Sequence, residues 1–322
     1  MRKFLIISIV LINLFSCDKK DSQITLASST GSINLLTIII DNDLWKGSIG
    51  DSLREIIASP VLGLPQEETQ FNITQAPPQT FGRLLKPSRN LLFIGIESQE
   101  GFHIKKNIYA SPQIAMTILG KDKASLSSQI ITHKKEIIAV FKEGDLKLSQ
   151  KRIKKYWKPS SVKTLAKLGV TLKIPKKYAL VDDTSDFLWF RKEVAKGSIN
   201  LIAYTFPLTE TDSIANTIVA RRNTIGKKYI PGTLEGMHMI TEAAFSPFIQ
   251  KTELDRKPAF ETRGMWEMKN DFMAGPFLNY TLIDKANNRL IIIEGFTFAP
   301  NIKKRDYMFE LEAILKTIQI TM

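Results

Sequence analysis

Runs of apolar residues separated by polar turns divide the first half of the chain into strands and helices. Residues 35–40 (LLTIII) form a continuous apolar run, which predicts a strand buried on both faces. Shorter runs predict further strands at 71–73, 91–96 and 114–119. Ser52 and Glu55 have capping-box spacing, so we expect a short helix to begin near Ser52.

A helical period dominates the middle of the chain. Asp122 is a predicted N-cap, and the apolar stripe after it consists of Leu126, Ile130, His133, Ile137 and Phe141. Gly144 is predicted to interrupt this helix, and Asp145 to cap a second segment. One side of that segment is apolar, with Leu146, Ile153 and Trp157. Its other side is basic and carries Lys147, Lys151, Arg152, Lys154, Lys155 and Lys158.

The second half is richer in strand patterns. Residues 199–206 are apolar on both faces, which predicts a central strand. Other strands are predicted at 170–174, 187–191, 237–245, 259–268, 277–283 and 290–298. Asn287 and Asn288 predict a hairpin turn between the last two. Helices are predicted over 212–225 and after Asn301.

These elements predict an α+β fold class: two α/β sandwich domains with largely antiparallel sheets. Pro159, Ser160 and Ser161 mark the boundary between an N-terminal domain (33–160) and a C-terminal domain (161–322). Residues 1–16 are a predicted signal peptide. Residues 17–32 lack apolar periodicity and are predicted to be a flexible spacer.

The leader indicates export. Arg2 and Lys3 precede an apolar run of twelve residues (4–15), which is shorter than the roughly 20 needed to span a bilayer as a helix. The ending Leu14-Phe15-Ser16-Cys17 resembles the lipobox of bacterial lipoproteins. The resemblance implies cleavage before Cys17 and attachment of diacylglycerol and an acyl chain, typically palmitate, to that residue. The alternative is an ordinary signal peptide or an uncleaved anchor.

Composition and net charge limit the kinds of partner that the protein is expected to bind. The formal net charge is +13, or +11 without Arg2 and Lys3, and Cys17 is the only cysteine of the 322 residues. A disulfide framework is therefore excluded. A basic envelope protein is expected to meet anionic lipid headgroups, glycans or acidic proteins, and we expect no nucleic acid partner.

Three stretches carry a family resemblance: residues 39–68, 225–248 and 264–284, the last reading GMWEMKNDFMAGPFLNYTLID. They resemble an uncharacterised Bacteroidetes lipoprotein family, domain of unknown function 4837, over essentially the whole mature chain. The resemblance implies a lipid-anchored envelope protein, with the outer membrane favoured, and it implies no activity. The order of elements in the second half is also loosely similar to the Mog1/PsbP-like sandwich.

Catalytic signals are weak. The acidic residues Asp41, Asp43, Glu67 and Glu68 flank predicted strand ends, where a pair could act on a glycoside; solvated turns are the plainer interpretation. His103, His133 and His238 are not spaced as metal ligands, and no nucleophile elbow or phosphate loop occurs. We therefore predict no metal site and no cofactor.

The sequence favours a non-catalytic binding or assembly module, tethered to the membrane through Cys17. The basic residues 147–158 are candidates for contact with a membrane, an anionic envelope component or another envelope protein. Their alternative role is the solvated face of an interdomain helix. Two other functions stay open: an envelope hydrolase acting on glycan or peptidoglycan through the loop acids, and a carrier with an enclosed apolar cavity.

Overall fold

The computed structural model describes residues 25–157, 162–209 and 213–320. The predicted signal peptide, Cys17, Lys158 and the boundary at 160/161 lie outside the described residues. The described part forms two mixed α/β domains, which confirms the predicted fold class.

The N-terminal domain is built on a five-stranded sheet of order β3-β2-β4-β7-β5. Its strands are β1 (Ala27–Ser28), β2 (Leu35–Ile39), β3 (Asn72–Ala76), β4 (Asn90–Ile96), β5 (Gly101–Lys106), β6 (Ala110–Ser111) and β7 (Ile114–Gly120); β1 and β6 pair separately. Its helices are α1 (Asn42–Lys46), α2 (Ser48–Ile57), α3 (Lys123–Thr132) and α4 (Lys134–Tyr156).

Three of the four pairings in this sheet are parallel, and only β5 runs antiparallel to its neighbour β7. The antiparallel character predicted for the sheets therefore belongs mainly to the C-terminal domain. Leu36 and Ile38 of β2, and Ile40 just after it, pack in one core with apolar residues of all four helices. On the opposite face Phe93 meets Phe81 edge-on, with ring centroids 5.0 Å apart.

The C-terminal domain is built on an eight-stranded sheet in which every pairing is antiparallel. Its elements are α5 (Lys163–Leu168), β8 (Val170–Thr171), β9 (Ala179–Asp183), β10 (Phe187–Val194), β11 (Gly197–Pro207), α6 (Ile214–Tyr229), β12 (Met239–Thr241), β13 (Phe248–Leu254), β14 (Lys257–Met268), β15 (Ala274–Asp284), β16 (Arg289–Phe298), α7 (Arg305–Leu315) and β17 (Gln319–Ile320).

Helices cover both faces of this sheet. Leu165 of α5 and Leu311 of α7 share one core with Leu201 and Ile293 of the sheet, while Ile225 of α6 belongs to the core on the other face. Strand β11 lies between β10 and β16, so the predicted central strand is confirmed. The predicted turn is also confirmed, with Asn288 at φ 50° between β15 and β16.

Helix α6 is fastened to the sheet by a buried ion pair. Nε of Arg222 lies 2.9 Å from Oε1 of Glu294, and both side chains are almost fully buried. Asn279 donates to the second carboxylate oxygen of Glu294 at 2.9 Å, and the Arg222 guanidinium also stacks over Phe277. A buried charge pair is tolerated because these added contacts offset the desolvation of both charges.

Two local predictions are corrected. The helical break falls at His133, between α3 and α4, and α4 runs unbroken through Gly144 and Asp145. The spacer predicted over 17–32 is shorter than expected, because Ala27–Ser28 pairs with Ala110–Ser111 and Thr30 bridges to Ser88. The last residues of the predicted spacer therefore belong to the fold.

Candidate functional site: a basic groove along helix α4

Helix α4 joins the two domains. Ile137 and Phe141, in its first half, belong to the N-terminal core, whereas Ile153 belongs to a C-terminal core against which Leu146 also packs. Over 23 residues the helix is about 35 Å long, so it can span both cores. The predicted apolar side of the basic segment is thus confirmed as an interdomain contact.

Asp145 fixes this helix to the N-terminal sheet. Its carboxylate is fully buried and accepts hydrogen bonds from Nε of Arg89 at 2.7 Å and the backbone N–H of Asn34 at 2.7 Å. Arg89 in turn donates to the carbonyl oxygens of Gly31 and Ser32. Asp145 is therefore an anchor inside α4 and not the helix cap that the sequence predicts.

The basic residues predicted from the sequence lie on the outer side of α4. Each described member of the set is exposed: Lys147, Lys151, Arg152, Lys154 and Lys155. Lys147 pairs with Glu143 one turn earlier. Because the cores hold the opposite side of the helix, this charged side faces solvent.

Two of these lysines line a groove between α4 and the edge of the N-terminal sheet. The groove has a volume of about 390 Å³. Its apolar wall comes from Ile104, Pro112, Ile114, Val140 and Leu148, and its exposed cations are Lys106, Lys147 and Lys151, whereas Arg89 is buried against Asp145. Glu143 is the one carboxylate among the described residues of the lining. The groove therefore combines an apolar wall with a positive rim.

Sequence reasoning missed the groove residues outside α4, and Lys106 is the exposed cation among them. It ends β5, an edge strand whose side chains are largely exposed, so the strand lacks the alternation that would have predicted it. Pro112 and Ile114 come just after β6 and at the start of β7, which places them opposite α4. Pro112 and Ile114 line the same groove as Lys147 and Lys151 only because α4 packs beside them, and the sequence alone does not show this packing.

The beginning of the described chain lies beside the groove. Ala27 and Ser28 pair in parallel with Ala110 and Ser111, and the N–H of Ser29 donates to the carbonyl of Ser111 at 3.2 Å. Ser111 immediately precedes Pro112, which lines the groove. The segment that follows Cys17 in sequence therefore enters the fold next to the basic groove.

The four candidate acids do not form one site. Strands β2 and β3 are parallel and in register, with Leu35 opposite Asn72. Asp41 and Asp43 follow the C-terminal end of β2, and Glu67 and Glu68 precede the N-terminal end of β3, so the two pairs lie at opposite ends of these parallel strands. A five-residue strand separates its two ends by about 16 Å, which exceeds the roughly 5–9.5 Å between the carboxyl groups of glycosidases.

Glu68 has a structural role. It is buried, and its two oxygens accept the backbone N–H groups of Lys304 and Arg305 at 2.6 and 3.0 Å, at the start of α7. Asp41, Asp43 and Glu67 are exposed, as the solvated-turn interpretation predicts.

The histidines also show local structural roles. The ring of His133 stacks on Phe102 with centroids 3.8 Å apart, and His133 pairs with Glu136. Nδ1 of His238 contacts the carbonyl oxygen of Gly236 at 3.0 Å. Among the described residues, no group of three or more His, Cys, Asp and Glu side chains is arranged to hold a metal ion.

Comparison with family models divides the chain into two segments. Residues 158–317 match the family described as domain of unknown function (DUF4837), and residues 29–154 match domain of unknown function (DUF8532). The resemblance to DUF4837 is confirmed for the second half. Its predicted extent was too wide, because the stretch 39–68 falls in the segment that matches DUF8532.

Solved structures match about half of the chain. LpqN, described as involved in cell envelope biogenesis of Mycobacterium tuberculosis, is 12% identical, with a TM-score of 0.32, covering 48% of this chain and 83% of LpqN. The Ran-binding protein Mog1p of Saccharomyces cerevisiae is 6% identical, with a TM-score of 0.31, covering 47% of this chain and 90% of Mog1p. Neither likeness carries information about function. No curated protein matches the chain.

Within the described ranges, no helix combines the length and apolar character required to cross a bilayer.

Proposed function

We propose that this chain is a lipid-anchored protein of the bacterial cell envelope that acts as a non-catalytic binding module. Lipid on Cys17 holds it at the membrane, and the basic groove along α4 contacts anionic lipid headgroups of that membrane. The observation that carries the proposal is the position of Ala27–Ser28, whose partner strand leads directly into the groove wall at Pro112.

The length of the tether supports this arrangement. Nine residues lie between Cys17 and Ala27 in the sequence, and the ten Cα–Cα steps from one to the other span at most about 36 Å in an extended chain. If residues 27–32 belonged to a flexible spacer instead of the fold, the tether would be longer and the groove could lie farther from the membrane. A lipid on Cys17 therefore keeps the groove within a few tens of ångströms of the bilayer surface.

The charge of the outer face of α4 supports an anionic partner. Lys147, Lys151, Arg152, Lys154 and Lys155 are all exposed, and Lys106 adds a cation across the groove. A lysine or arginine close to an anionic membrane contributes about 1 kcal/mol of binding free energy. Several such residues on one face, added to the anchor, give a preferred orientation of the protein on the membrane.

The two other functions receive less support. A hydrolase built on the loop acids is disfavoured because Glu68 is occupied by backbone donors and the acid pairs lie at opposite ends of the parallel strands. A carrier needs an enclosed apolar cavity, whereas the groove has a rim of lysines.

The anchor is tested by comparing wild type with Cys17→Ser in cell fractionation and by mass spectrometry of the N-terminal peptide. We expect acylated Cys17 and membrane association that resists a high-salt wash in wild type, whereas the same wash should release Cys17→Ser, which is held only by the charges of the groove. An unmodified Cys17, or a Cys17→Ser protein that fractionates like wild type, would contradict the anchor. The same cells, treated with a crosslinker, report whether another envelope protein occupies the basic face instead of lipid.

A further inference from the structure

A second cavity lies on the other side of α4, at the junction of the two domains. Its volume is about 370 Å³. The N-terminal domain contributes Lys142 of α4 and Leu62, and the C-terminal domain contributes Arg263, Arg305 and Phe309. Ligand sites occur preferentially at such junctions.

Cations outnumber carboxylates in this pocket. Lys142, Arg263, Arg305 and Lys316 line it, against Glu143 and Glu312. Glu312 is shared by two of the cations, with Oε2 2.8 Å from Nη2 of Arg263 and Oε1 2.6 Å from Nζ of Lys316. Arg263 also pairs with Glu261 at 2.7 Å and Arg305 with Asp306 at 2.9 Å, so among the described residues each cation of the lining except Lys142 has a carboxylate partner.

Lys142 is the least compensated of these cations. Its Nζ donates to Oδ1 of Asn34 at 2.8 Å and to the carbonyl oxygen of Gln70 at 2.6 Å, both of which are neutral acceptors. Among the described residues, no carboxylate lies within ion-pair distance of it. Burial, followed by the positive charge of Arg305, lowers the pKa of Lys142 to about 8, although Glu312, Asp145 and Asp306 act in the opposite direction. An added negative charge would therefore stabilise this site.

The walls of the pocket are apolar. Met308 and Phe309 of α7 and Val61 lie beside the cations, and Leu62 is 54% exposed although it is a large apolar residue. A bare inorganic ion would leave these side chains uncovered. A molecule with an apolar part would bury them and gain hydrophobic free energy.

We infer that this interdomain pocket binds a small organic oxyanion. Its carboxylate or phosphate group lies between Lys142, Arg305 and Arg263, and its apolar part packs against Leu62, Met308 and Phe309. Arginine and lysine are the side chains that bind such groups with charge-assisted hydrogen bonds. The ligand contacts both domains, so it stabilises their junction.

The pocket and the groove are lined by different lysines. Lys142 lines only the interdomain pocket of the two, whereas Lys147, on the same helix, lines only the groove. Glu143 lines both and pairs with Lys147, so the control is placed at Lys155, an exposed residue of the same helix that lines neither cavity.

Calorimetric titration of the mature chain carrying Cys17→Ser tests the inference with three probes: phenyl phosphate, benzoate and benzyl alcohol. We expect at least one of the two anions to bind more tightly than the neutral alcohol and to raise the melting temperature. The Lys142→Met variant should bind that anion at least about tenfold more weakly, a loss of 1.4 kcal/mol. The Lys155→Gln variant is the matched control and should bind it like the parent chain.

Because Lys142 also contacts Asn34 and Gln70, its replacement could disturb folding. Lys316→Gln is the second variant, since the side chain of Lys316 pairs with Glu312 four positions earlier and its replacement removes one positive charge from the pocket lining. It should also weaken anion binding. The inference is overturned if neither anion binds better than benzyl alcohol, or if Lys155→Gln weakens binding as much as the pocket variants.

Discussion

The carboxylate of Glu68 accepts a hydrogen bond from the backbone N–H of Arg305 at 3.0 Å, across the domain junction. Helix α7 has no side-chain cap of its own, so an acid from the other domain satisfies its first N–H groups. A carboxylate at a helix N-terminus also interacts favourably with the helix dipole. This contact fixes the start of α7 against the loop that precedes β3 in the N-terminal domain.

Replacing Glu68 should destabilise the protein. Glu68→Ala leaves two backbone donors without acceptors, and each buried donor that loses its partner costs about 1–3 kcal/mol. We expect the free energy of unfolding to fall by about 2–4 kcal/mol in urea titrations. Glu67→Ala, at the exposed neighbouring position, should change it by less than about 0.5 kcal/mol. Equal effects of the two variants would show that Glu68 does not hold the junction.

Asp145 should be the residue of α4 whose charge matters most. Asp145→Asn leaves Arg89, which is 4% exposed, without its buried carboxylate, and breaking such a pair costs about 3–5 kcal/mol. The matched variant Glu143→Gln affects an exposed pair on the same helix and should cost less than about 1 kcal/mol. Urea unfolding followed by circular dichroism measures both. A small loss for Asp145→Asn would mean that α4 is held by its apolar contacts alone.

Glu312 predicts a loss of stability in acid. Burial alone would raise the pKa of Glu312, but the charges of Arg263 and Lys316 outweigh it and lower this pKa to about 2. Above pH 4.5 the carboxylate is charged in both states and its contribution is complete. As pH falls from about 4.5 to 2, the unfolded chain binds the proton first and the contribution is lost.

The variant Glu312→Gln isolates this contribution. The difference in unfolding free energy between wild type and variant should shrink by roughly 3 kcal/mol between pH 5 and pH 2. Unfolding in urea at a series of pH values measures it. A difference that stays constant over this range would contradict the ion pairs assigned to Glu312.

The buried pair Arg222–Glu294 should behave non-additively. Arg222→Met and Glu294→Leu should each cost about 3–5 kcal/mol, because either leaves one buried charge alone. The double variant should cost clearly less than the sum of the two, since no unpaired charge remains. The control is Lys228→Met, on the same helix as Arg222, which removes an exposed ion pair with Asp186. It should change the free energy of unfolding by less than about 1 kcal/mol. Strict additivity would show that the pair does not act as a unit.

Apolar periodicity was sufficient to predict most of the large elements. The buried strands β2, β4, β7 and β11 were predicted because their residues are apolar on both faces or at alternate positions. The exposed edge strands β5 and β13 were missed, since packing against a neighbour, and not burial, defines them. Local patterns carry little information about such strands.

The polar contacts between segments that are distant in sequence could not be predicted. Asp145 follows Gly144 in a pattern that is typical of a new helix start, yet its partners Asn34 and Arg89 are more than fifty residues away. Glu68 has the same character, because its partner Arg305 lies in the other domain. These side chains acquire their roles only when distant segments meet. The sequence therefore predicted a loop acid at Glu68, which caps α7, and a helix cap at Asp145, which is a buried anchor.

The central claim is that the basic groove along α4 contacts anionic lipid on the membrane that carries the anchor. Co-sedimentation of the mature Cys17→Ser chain with vesicles tests it directly, comparing phosphatidylglycerol mixed with phosphatidylethanolamine against phosphatidylcholine alone. We predict salt-sensitive binding to the anionic vesicles, weakened roughly thirtyfold by the double variant Lys147→Gln/Lys151→Gln, at about 1 kcal/mol per lysine. The double variant Lys196→Gln/Lys269→Gln removes the same charge from exposed positions of the C-terminal domain and should change binding by less than about twofold. An absence of binding to the anionic vesicles, or an equal loss in both double variants, would contradict the account.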